Sequence, residues 1–493
     1  MKRSEKSGIE IGTGFGLKSF SPDQVEMLHD ATLKVLQDTG IKVESDAAAE
    51  IFSGAGAQVE RFSNYFTVRI PSYIVEDCIR WAARPGIFYG RVPEDDFLAE
   101  PHRVGFATFG ECIQVIDPVT RRVRKSTKKD CGDISLICDY FDEISVMERP
   151  CCSSDMHPET QPLHNLEAIF TNTSKPVFLA AVNPRNCRKM VEMAIVCAGG
   201  KENFHKRPFL NIFVCPTSPL LLVKNCCDVI IEAAGLGAGI AIIPMALAGA
   251  TSTATLAGTI VTHNAEVLSA LALAQLTKKG CRCVYCGVST IMDLRLMVGP
   301  VGAPEQALLA SGAAKLAQYY RLPSWIGGGV SDSKLPDAQA AYEFALNALT
   351  GALAGANIVY GAGVLELGLT QDYAKLVLDV EAIRSIKRIM KGVEITDETL
   401  ALDVIHQVGA GGEFLTHAHT FQHMREQSQP ALFDRKTRDS WLKSGGKDAA
   451  ERAYEEALHI LENHRPKVLP PGAAGIMKEI IADYEKELGV AGK

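Results

Sequence analysis

Residues 323–363 read PSWIGGGVSDSKLPDAQAAYEFALNALTGALAGANIVYGAG, and this stretch decides the fold. Apolar runs open and close it, at PSWIGGG (323–329) and ANIVYGAG (356–363), with a helix-like run between them. A strand, a helix and a second strand in this order predict a βαβ unit with parallel strands. Both runs are apolar throughout, which indicates strands that are covered on both faces.

The same unit recurs along the chain. Segments with helical period, such as 264–280 and 305–320, separate further apolar runs of the same kind. Six further runs are VGFATFG (104–110), ISVMERP (144–150), PVFLAAV (176–182), PFLNIFV (208–214), GIAIIPM (239–245) and CVYCGV (283–288). Together with the two runs above they make eight. Eight β/α units predict a closed (β/α)₈ TIM barrel. An open doubly wound sheet is the alternative, but no G-x-G-x-x-G opens a helix after a strand.

The barrel pattern occupies residues 101–390 and leaves a segment at each end. Residues 1–100 are predicted to be a mostly helical extension, whose first helix opens with a capping box between Ser21 and Gln24. Residues 391–493 are predicted to form a second helical extension. Its last helices are long, charged and amphipathic, so they pack on the barrel or on another subunit. We therefore expect a homo-oligomer.

Composition excludes several classes of protein. The chain has 493 residues and a net charge of −7, which argues against a nucleic-acid partner, because such proteins present a basic face. Its 14 cysteines show no pattern of a secreted disulfide scaffold, and we expect a cytoplasmic protein. The uncharged stretch 233–262 is interrupted by Gly, Pro, Ser and Thr. We interpret it as a buried strand between two helices, not as a membrane span.

Two short motifs leave alternatives open. Cys283 and Cys286 form a C-x-x-C, but no second ligand pair completes a zinc site, and residues three apart on a strand face opposite ways. We therefore expect no metal. His263 and Glu266 lie one turn apart and suit either an acid/base pair or the start of a helix. We favour the helix start, because a glutamate is stabilised there by the helix dipole.

Several long blocks resemble the trimethylamine methyltransferase family. They are CPTSPL (215–220), GTIVTHNAEVLSALALAQLT (258–277), SDSKLPDAQAAYE (331–343), LAGANIVYGAGVLELG (353–368) and GAGGEFLTHAHT (409–420). The resemblance runs nearly end to end. It implies a (β/α)₈ barrel that passes a methyl group from an amine to the Co(I) of a corrinoid held by a separate small protein. Archaeal members carry pyrrolysine immediately before Ser-Asp-x-Lys, and here that position is Val330.

Val330 restricts the class of amine that the protein can demethylate. Demethylating a neutral tertiary amine would expel an amide anion, so that amine must first be made cationic, for example by adding to pyrrolysine. A quaternary ammonium is already cationic and leaves as a neutral tertiary amine. Because Val330 cannot form an adduct, we expect a quaternary amine substrate. The pyrrolysine-free branch implies glycine betaine. Carnitine, proline betaine, a non-catalytic amine-binding barrel and a zinc-dependent thiol methyltransferase are the alternatives.

Candidate site residues come from the carboxyl ends of the predicted strands, where TIM barrels place their active sites. Aromatic faces attract ammonium ions by about 1–2 kcal/mol each when desolvated, so Phe109, Tyr285 and Tyr360 are candidates for a cation box. A betaine carboxylate would need a donor, for which we name Arg149, His263 and the N–H groups of Gly328 and Gly329. The remaining candidates of the pocket are Val330, Ser331 and Glu366.

The resemblance also implies a partner. Cobalamin-binding proteins of this type carry D-x-H-x-x-G, and the nearest string, which starts at Asp155 and contains His157, lacks the glycine. We therefore expect no intrinsic cofactor, and a cobalamin (corrinoid) brought to the barrel mouth by a cognate corrinoid-binding protein.

Overall fold

Eight parallel strands close into a barrel in the computed structural model, which describes residues 8–10, 16–84, 86–110 and 112–490. The strands are β1 (Arg103–Ala107), β2 (Ile144–Glu148), β3 (Val177–Ala180), β4 (Leu210–Val214), β5 (Gly239–Ile242), β6 (Cys283–Gly287), β7 (Ser324–Gly327) and β8 (Ile358–Tyr360). Seven of them lie within the predicted apolar runs, and β1 begins one residue before its run, at Arg103. The barrel closes where Tyr360 of β8 pairs with Ala107 of β1, which confirms the predicted fold.

One helix follows each strand and covers the outside of the barrel. These helices are α1 (Lys128–Tyr140), α2 (Gln161–Asn172), α3 (Pro184–Cys197), α4 (Lys224–Leu236), α5 (Leu256–Thr277), α6 (Pro304–Tyr320), α7 (Ala338–Leu353) and α8 (Tyr373–Met390). A shorter helix, Lys201–Lys206, follows α3. By length and composition α5 could cross a membrane, but 72% of its most apolar window is buried, as in a core helix. The stretch 233–262 contains β5 between α4 and α5, as predicted.

The N-terminal segment contains strands as well as the predicted helices. Its helices are Pro22–Lys34, continued by a π-helical turn at Val35–Thr39, then Asp46–Gly54 and Ser72–Trp81. The capping box is confirmed: the Gln24 amide donates to Ser21 Oγ (3.2 Å), and the Ser21 amide donates to Gln24 Oε1 (2.9 Å). Strands Ile41–Val43, Gln58–Arg61 and Phe66–Arg69 form a sheet whose fourth strand, Leu221–Leu222, comes from the loop after β4.

Small sheets cover the ends of the barrel. Ile9–Glu10 pairs antiparallel with β1, and Ile87–Phe88 pairs with Phe97–Leu98. Leu247–Ala248 pairs with Thr290–Ile291 beyond β5 and β6. A four-stranded sheet joins the loops after β1 and β8; its strands are Gln114–Ile116, Val123–Lys125, Val364–Leu365 and Thr370–Asp372.

Two long helices of the C-terminal segment pack on the barrel helices. Ala449–Asn463 lies against α8 and α1, and Ala473–Leu488 lies against α3 and α2. The Tyr454 hydroxyl fixes the first of them by donating to Asp372 Oδ2 at 2.6 Å. The short helices before them bury no residue; they are Asp397–Leu400, Leu402–Val408, Ala418–His423 and Arg438–Lys443.

Aromatic rings fill the lumen below the strand ends. Trp325 of β7 stacks on Phe178 of β3 with ring centroids 4.4 Å apart. Since β3 and β7 are not neighbours in the barrel, this contact crosses the lumen. Trp325 also stacks on Tyr360, with ring centroids 6.0 Å apart. The rings of Phe213 and Trp325 meet edge to face, with centroids 5.6 Å apart. The packed rings fill the interior below the carboxyl ends of the strands.

Candidate active site

A cavity of about 370 Å³ lies at the carboxyl ends of β1 to β6. This is the end of a TIM barrel that carries the active site, and the volume suits a small ligand. Its walls come from the strand ends and from the loop 215–218 after β4. The side chains used below are Phe109, Glu148, Phe213, Cys215, Thr217 and Ser218.

Two of the three predicted box residues lie together. Phe109 lines the cavity and stacks on Tyr360, with centroids 5.4 Å apart and planes inclined by 15°. Tyr360 is 1% exposed and supports Phe109 from below, so the open face of the box belongs to Phe109. Phe213 adds a second aromatic wall. The cavity therefore presents aromatic surface of the kind that attracts an ammonium ion.

Tyr285 does not line this cavity. Its hydroxyl donates to Asn264 Oδ1 of α5 at 3.0 Å, so the ring lies outside the barrel among the helices. The neighbouring Cys286 faces inward, while Cys283 contacts Gln275 of α5 and therefore faces outward. The C-x-x-C thus divides between the two faces, as its spacing predicted. Among the described residues, no group of three or more metal-ligating side chains is found.

A carboxylate that the sequence analysis missed completes the cavity wall. Glu148 ends β2, is 4% exposed and lines the cavity. Burial raises the pKa values of Tyr360 and Cys286 well above their usual values, and the charge of Glu148 raises both further. Both side chains therefore lie close to Glu148.

The adjacent Arg149, which was predicted as a carboxylate donor, turns away from the cavity. Its Nε donates to the carbonyl of Gly110, and the side chain is not among those that line the cavity. Neighbouring residues of a strand face opposite ways, so the side chain that lines the cavity is that of Glu148, one position before Arg149. All five residues of β2 are buried, so the strand shows no alternation of burial that would have marked the acid.

The glycines after β7 have a packing role. The Gly329 amide donates to the Tyr360 carbonyl at 2.8 Å, so it is not available to a substrate carboxylate. A Cβ on Gly361 would lie 2.5 Å from the Gly329 carbonyl carbon, and one on Gly328 would lie 3.0 Å from Val359. Glycine is required because the β7 and β8 backbones approach closely, not because a ligand approaches them.

The residues after these glycines also lie outside the cavity lining. Val330 is 2% exposed. The Ser331 hydroxyl donates to Glu343 at 2.6 Å, and Glu366 accepts from Gln114 at 2.8 Å. Aromatic rings therefore form the floor of the cavity, and residues 328–331 are not among the residues that line it.

A buried ion pair anchors this strand end. Lys375 Nζ lies 2.6 Å from Asp379 Oδ2 and 3.4 Å from the Gly329 carbonyl oxygen. Asp379 also accepts from the Gly363 amide at 2.7 Å. Burial raises the pKa of Asp379 to about 6, although Lys375 and Gly363 oppose the shift. The pair joins α8 to the ends of β7 and β8.

The predicted helix start at His263 is wrong. Helix α5 begins at Leu256, so His263 and Glu266 lie inside it. His263 is buried with Nδ1 3.1 Å from Ser289 Oγ; burial lowers its pKa to about 4, against the opposing effect of the Cys286 and Pro244 backbone. A neutral imidazole outside the cavity lining is no anchor for a carboxylate.

Glu266 holds the cavity wall instead of pairing with His263. Its carboxylate accepts from Ser218 Oγ at 2.8 Å and from the Leu220 amide at 2.9 Å, which fixes the loop after β4. Burial raises its pKa to about 7, although these two donors favour the ionised form. The acid therefore positions residues that line the cavity.

Comparison with known proteins identifies the family. The family model described as trimethylamine methyltransferase (MTTB) matches residues 11–489. The trimethylamine methyltransferase MttB of Desulfitobacterium hafniense strain DCB-2 is 47% identical over 99% of this chain and 98% of its own length. The chain belongs to the trimethylamine methyltransferase family.

Another relative carries a different substrate name, and a solved structure shares the fold. The glycine betaine methyltransferase of D. hafniense strain Y51 is 31% identical, over 95% of this chain and 97% of its own length. The crystal structure of the Methanosarcina barkeri monomethylamine methyltransferase (MtmB) matches with a TM-score of 0.53 and 13% identity, over 91% of this chain and 90% of that one. At that identity the match shows a shared fold only.

Proposed function

We propose that this protein transfers a methyl group from a quaternary amine to Co(I) of a corrinoid bound to a separate protein. The observation that carries the proposal is the cavity in which the Phe109 ring and the Glu148 carboxylate face the same space. A ring face and an anion together bind a permanent cation. The family match supports methyl transfer, and it includes one relative named for a quaternary amine.

The reaction that we propose needs no acid on this chain. The C–N bond of the ammonium breaks, its electron pair stays on nitrogen, and a neutral tertiary amine leaves. The methyl group bonds to cobalt, which supplies both electrons and passes from Co(I) to Co(III). The task of the protein is to orient the ammonium with one methyl group toward the open mouth. The alkyl side chain of Val330 gives no electrophile for a tertiary amine.

We propose a corrinoid-binding protein as the partner and the cytoplasm as the location. A cavity of about 370 Å³ suits a small amine, so the corrinoid reaches the methyl group from outside. Self-association is supported by apolar side chains that lie on the surface of the C-terminal segment. Val393 is 82%, Leu415 81% and Phe421 78% exposed.

Methyl transfer to a reduced corrinoid protein tests this function. Glycine betaine, the substrate that the family resemblance implies, serves as the reference compound. The other compounds to be tested are carnitine, proline betaine, choline, tetramethylammonium and trimethylamine. We expect loss of the Co(I) absorbance with at least one quaternary amine and none with trimethylamine. Turnover of trimethylamine, or of no quaternary amine, would refute the proposal. Binding without turnover would show an amine-binding barrel.

A further inference from the structure

The charge of the cavity wall limits which charged groups the substrate can have besides its ammonium. Besides the Cys215 thiol, Glu148 is the one ionisable side chain among the described residues that line the cavity, and none of these residues is basic. The donors predicted for a betaine carboxylate are placed elsewhere: Arg149 donates to a backbone carbonyl and His263 lies inside α5.

The direction of methyl transfer decides where the rest of the substrate lies. Displacement at carbon is in line, so cobalt approaches the methyl group on the side opposite to nitrogen. Because cobalt comes from the open mouth, the departing methyl group faces outward. The remaining substituents of the nitrogen therefore face the closed part of the cavity, where Phe109 and the buried Glu148 lie.

We infer that the substrate is a quaternary ammonium compound with no anionic group next to its nitrogen. This inference rests on the proposed function and revises its reference substrate. In glycine betaine and proline betaine the carboxylate is one carbon from the nitrogen. It would face inward, toward a carboxylate of like charge in a desolvated wall. A compound with an uncharged substituent, such as a hydroxyalkyl group, meets no such repulsion.

Neutral hydroxyl groups in the wall do not reverse this preference. Thr217 and Ser218 line the cavity and can bond either to a hydroxyl or to a carboxylate. The Ser218 hydroxyl already donates to Glu266 at 2.8 Å. Because such groups serve both kinds of substrate, the charge of Glu148 determines the selectivity.

Calorimetric titration of the purified protein measures that selectivity without methyl transfer. The probes are choline, tetramethylammonium, glycine betaine and 3,3-dimethyl-1-butanol, the uncharged isostere of choline. We expect choline and tetramethylammonium to bind at least tenfold more tightly than either glycine betaine or the isostere. Glycine betaine binding as tightly as choline, or more tightly, would overturn the inference.

The variant Glu148→Gln separates charge from shape. It should weaken choline binding and bring the ratio of choline to glycine betaine affinity below threefold, whereas an unchanged ratio would overturn the role of Glu148. Glu366→Gln is the matched control, because that carboxylate lies at the same end of the barrel but bonds Gln114 outside the cavity lining. Its ratio should equal that of the wild type.

The methyl-transfer assay distinguishes the two proposals. Transfer that prefers glycine betaine would overturn the inference and leave the function standing. Selective binding of choline without transfer from any quaternary amine would refute the proposed function and leave the binding selectivity standing. If no quaternary amine bound or reacted, both would fall.

Discussion

A Cβ atom on Gly110 would lie 2.5 Å from Oε1 of Glu148 and 3.1 Å from its Cγ. The backbone after β1 therefore packs directly against the side chain that gives the cavity its charge. Phe109, whose ring forms an aromatic wall of the cavity, precedes Gly110. The same short segment after β1 therefore positions the Phe109 ring and the Glu148 carboxylate, the two groups that we assign to cation binding.

Gly110→Ala should weaken binding of a quaternary amine about tenfold while the fold survives. The added methyl group leaves no room for the carboxylate, but that side chain can rotate away without moving the backbone. Calorimetry with choline measures the loss, and circular dichroism checks the fold. Gly235→Ala in α4 is the control, since its Cβ would meet nothing within 4 Å. Wild-type affinity in Gly110→Ala would contradict the assignment.

Phe109→Leu should reduce amine affinity between fivefold and thirtyfold. Leucine keeps the apolar contact but removes the ring face, which contributes about 1–2 kcal/mol to binding a desolvated cation. The same titration detects the loss. Phe62→Leu, at a stacked but partly exposed ring in the N-terminal segment, should change nothing. Equal affinity of the two variants would remove Phe109 from the site.

Cys215 should be the first thiol to react with iodoacetamide, and a bound amine should protect it. It is the one exposed cysteine among the 14, and it lines the cavity. Burial raises the pKa of thiols such as that of Cys131, to about 12, which slows their reaction. Peptide mass spectrometry identifies the labelled site. Labelling of Cys215 at the same rate with saturating choline would place amine binding elsewhere.

Glu266 should make the protein less stable as the pH rises from 5 to 8. Its pKa is about 7 when folded, against 4.5 for an ordinary glutamate, so the unfolded chain ionises first as the pH rises. Stability is therefore lost between about pH 4.5 and 7, by about 3 kcal/mol in total.

Glu266→Gln removes this titration, so its Tm should rise relative to the wild type between pH 5 and pH 8. Differential scanning calorimetry at the two pH values measures the change. Glu202→Gln, on the exposed surface, is the control. A Tm difference between Glu266→Gln and wild type that is the same at both pH values would contradict the prediction.

Lys375→Met should destabilise the protein by about 3–5 kcal/mol, because it leaves the buried Asp379 carboxylate without its cation. The fall in Tm measures the cost. Lys206→Met is the control: its partner Glu202 is 3.1 Å away, but both side chains are largely exposed. Similar Tm values for the two variants would show that Asp379 is neutral when folded.

The fold was predictable from sequence because it depends on a repeated pattern. Each barrel strand is buried on both faces and is therefore a continuous apolar run, and each crossover is a helix. Helix starts were less predictable. Helix α5 begins after Thr255, whose side chain makes no capping bond, so no polar signal marks the boundary and the start was predicted at His263.

The site was less predictable because it depends on register. Glu148 and Arg149 are neighbours, as are Tyr285 and Cys286, and in each pair one side chain faces the lumen and the other does not. A continuous apolar strand carries no alternation that fixes the choice. Only the pairing of strands around the closed barrel determines which member faces the cavity.

The N-terminal sheet cannot be completed during translation until its fourth strand, Leu221–Leu222, has been synthesised. Lys42 pairs with Leu221 and Val43 with Leu222, so the edge formed by residues 41–43 stays open until residue 222 leaves the ribosome. For about 180 residues of translation, the nascent chain displays an unpaired edge next to apolar surface. Products that end before residue 222 keep that edge and are expected to aggregate.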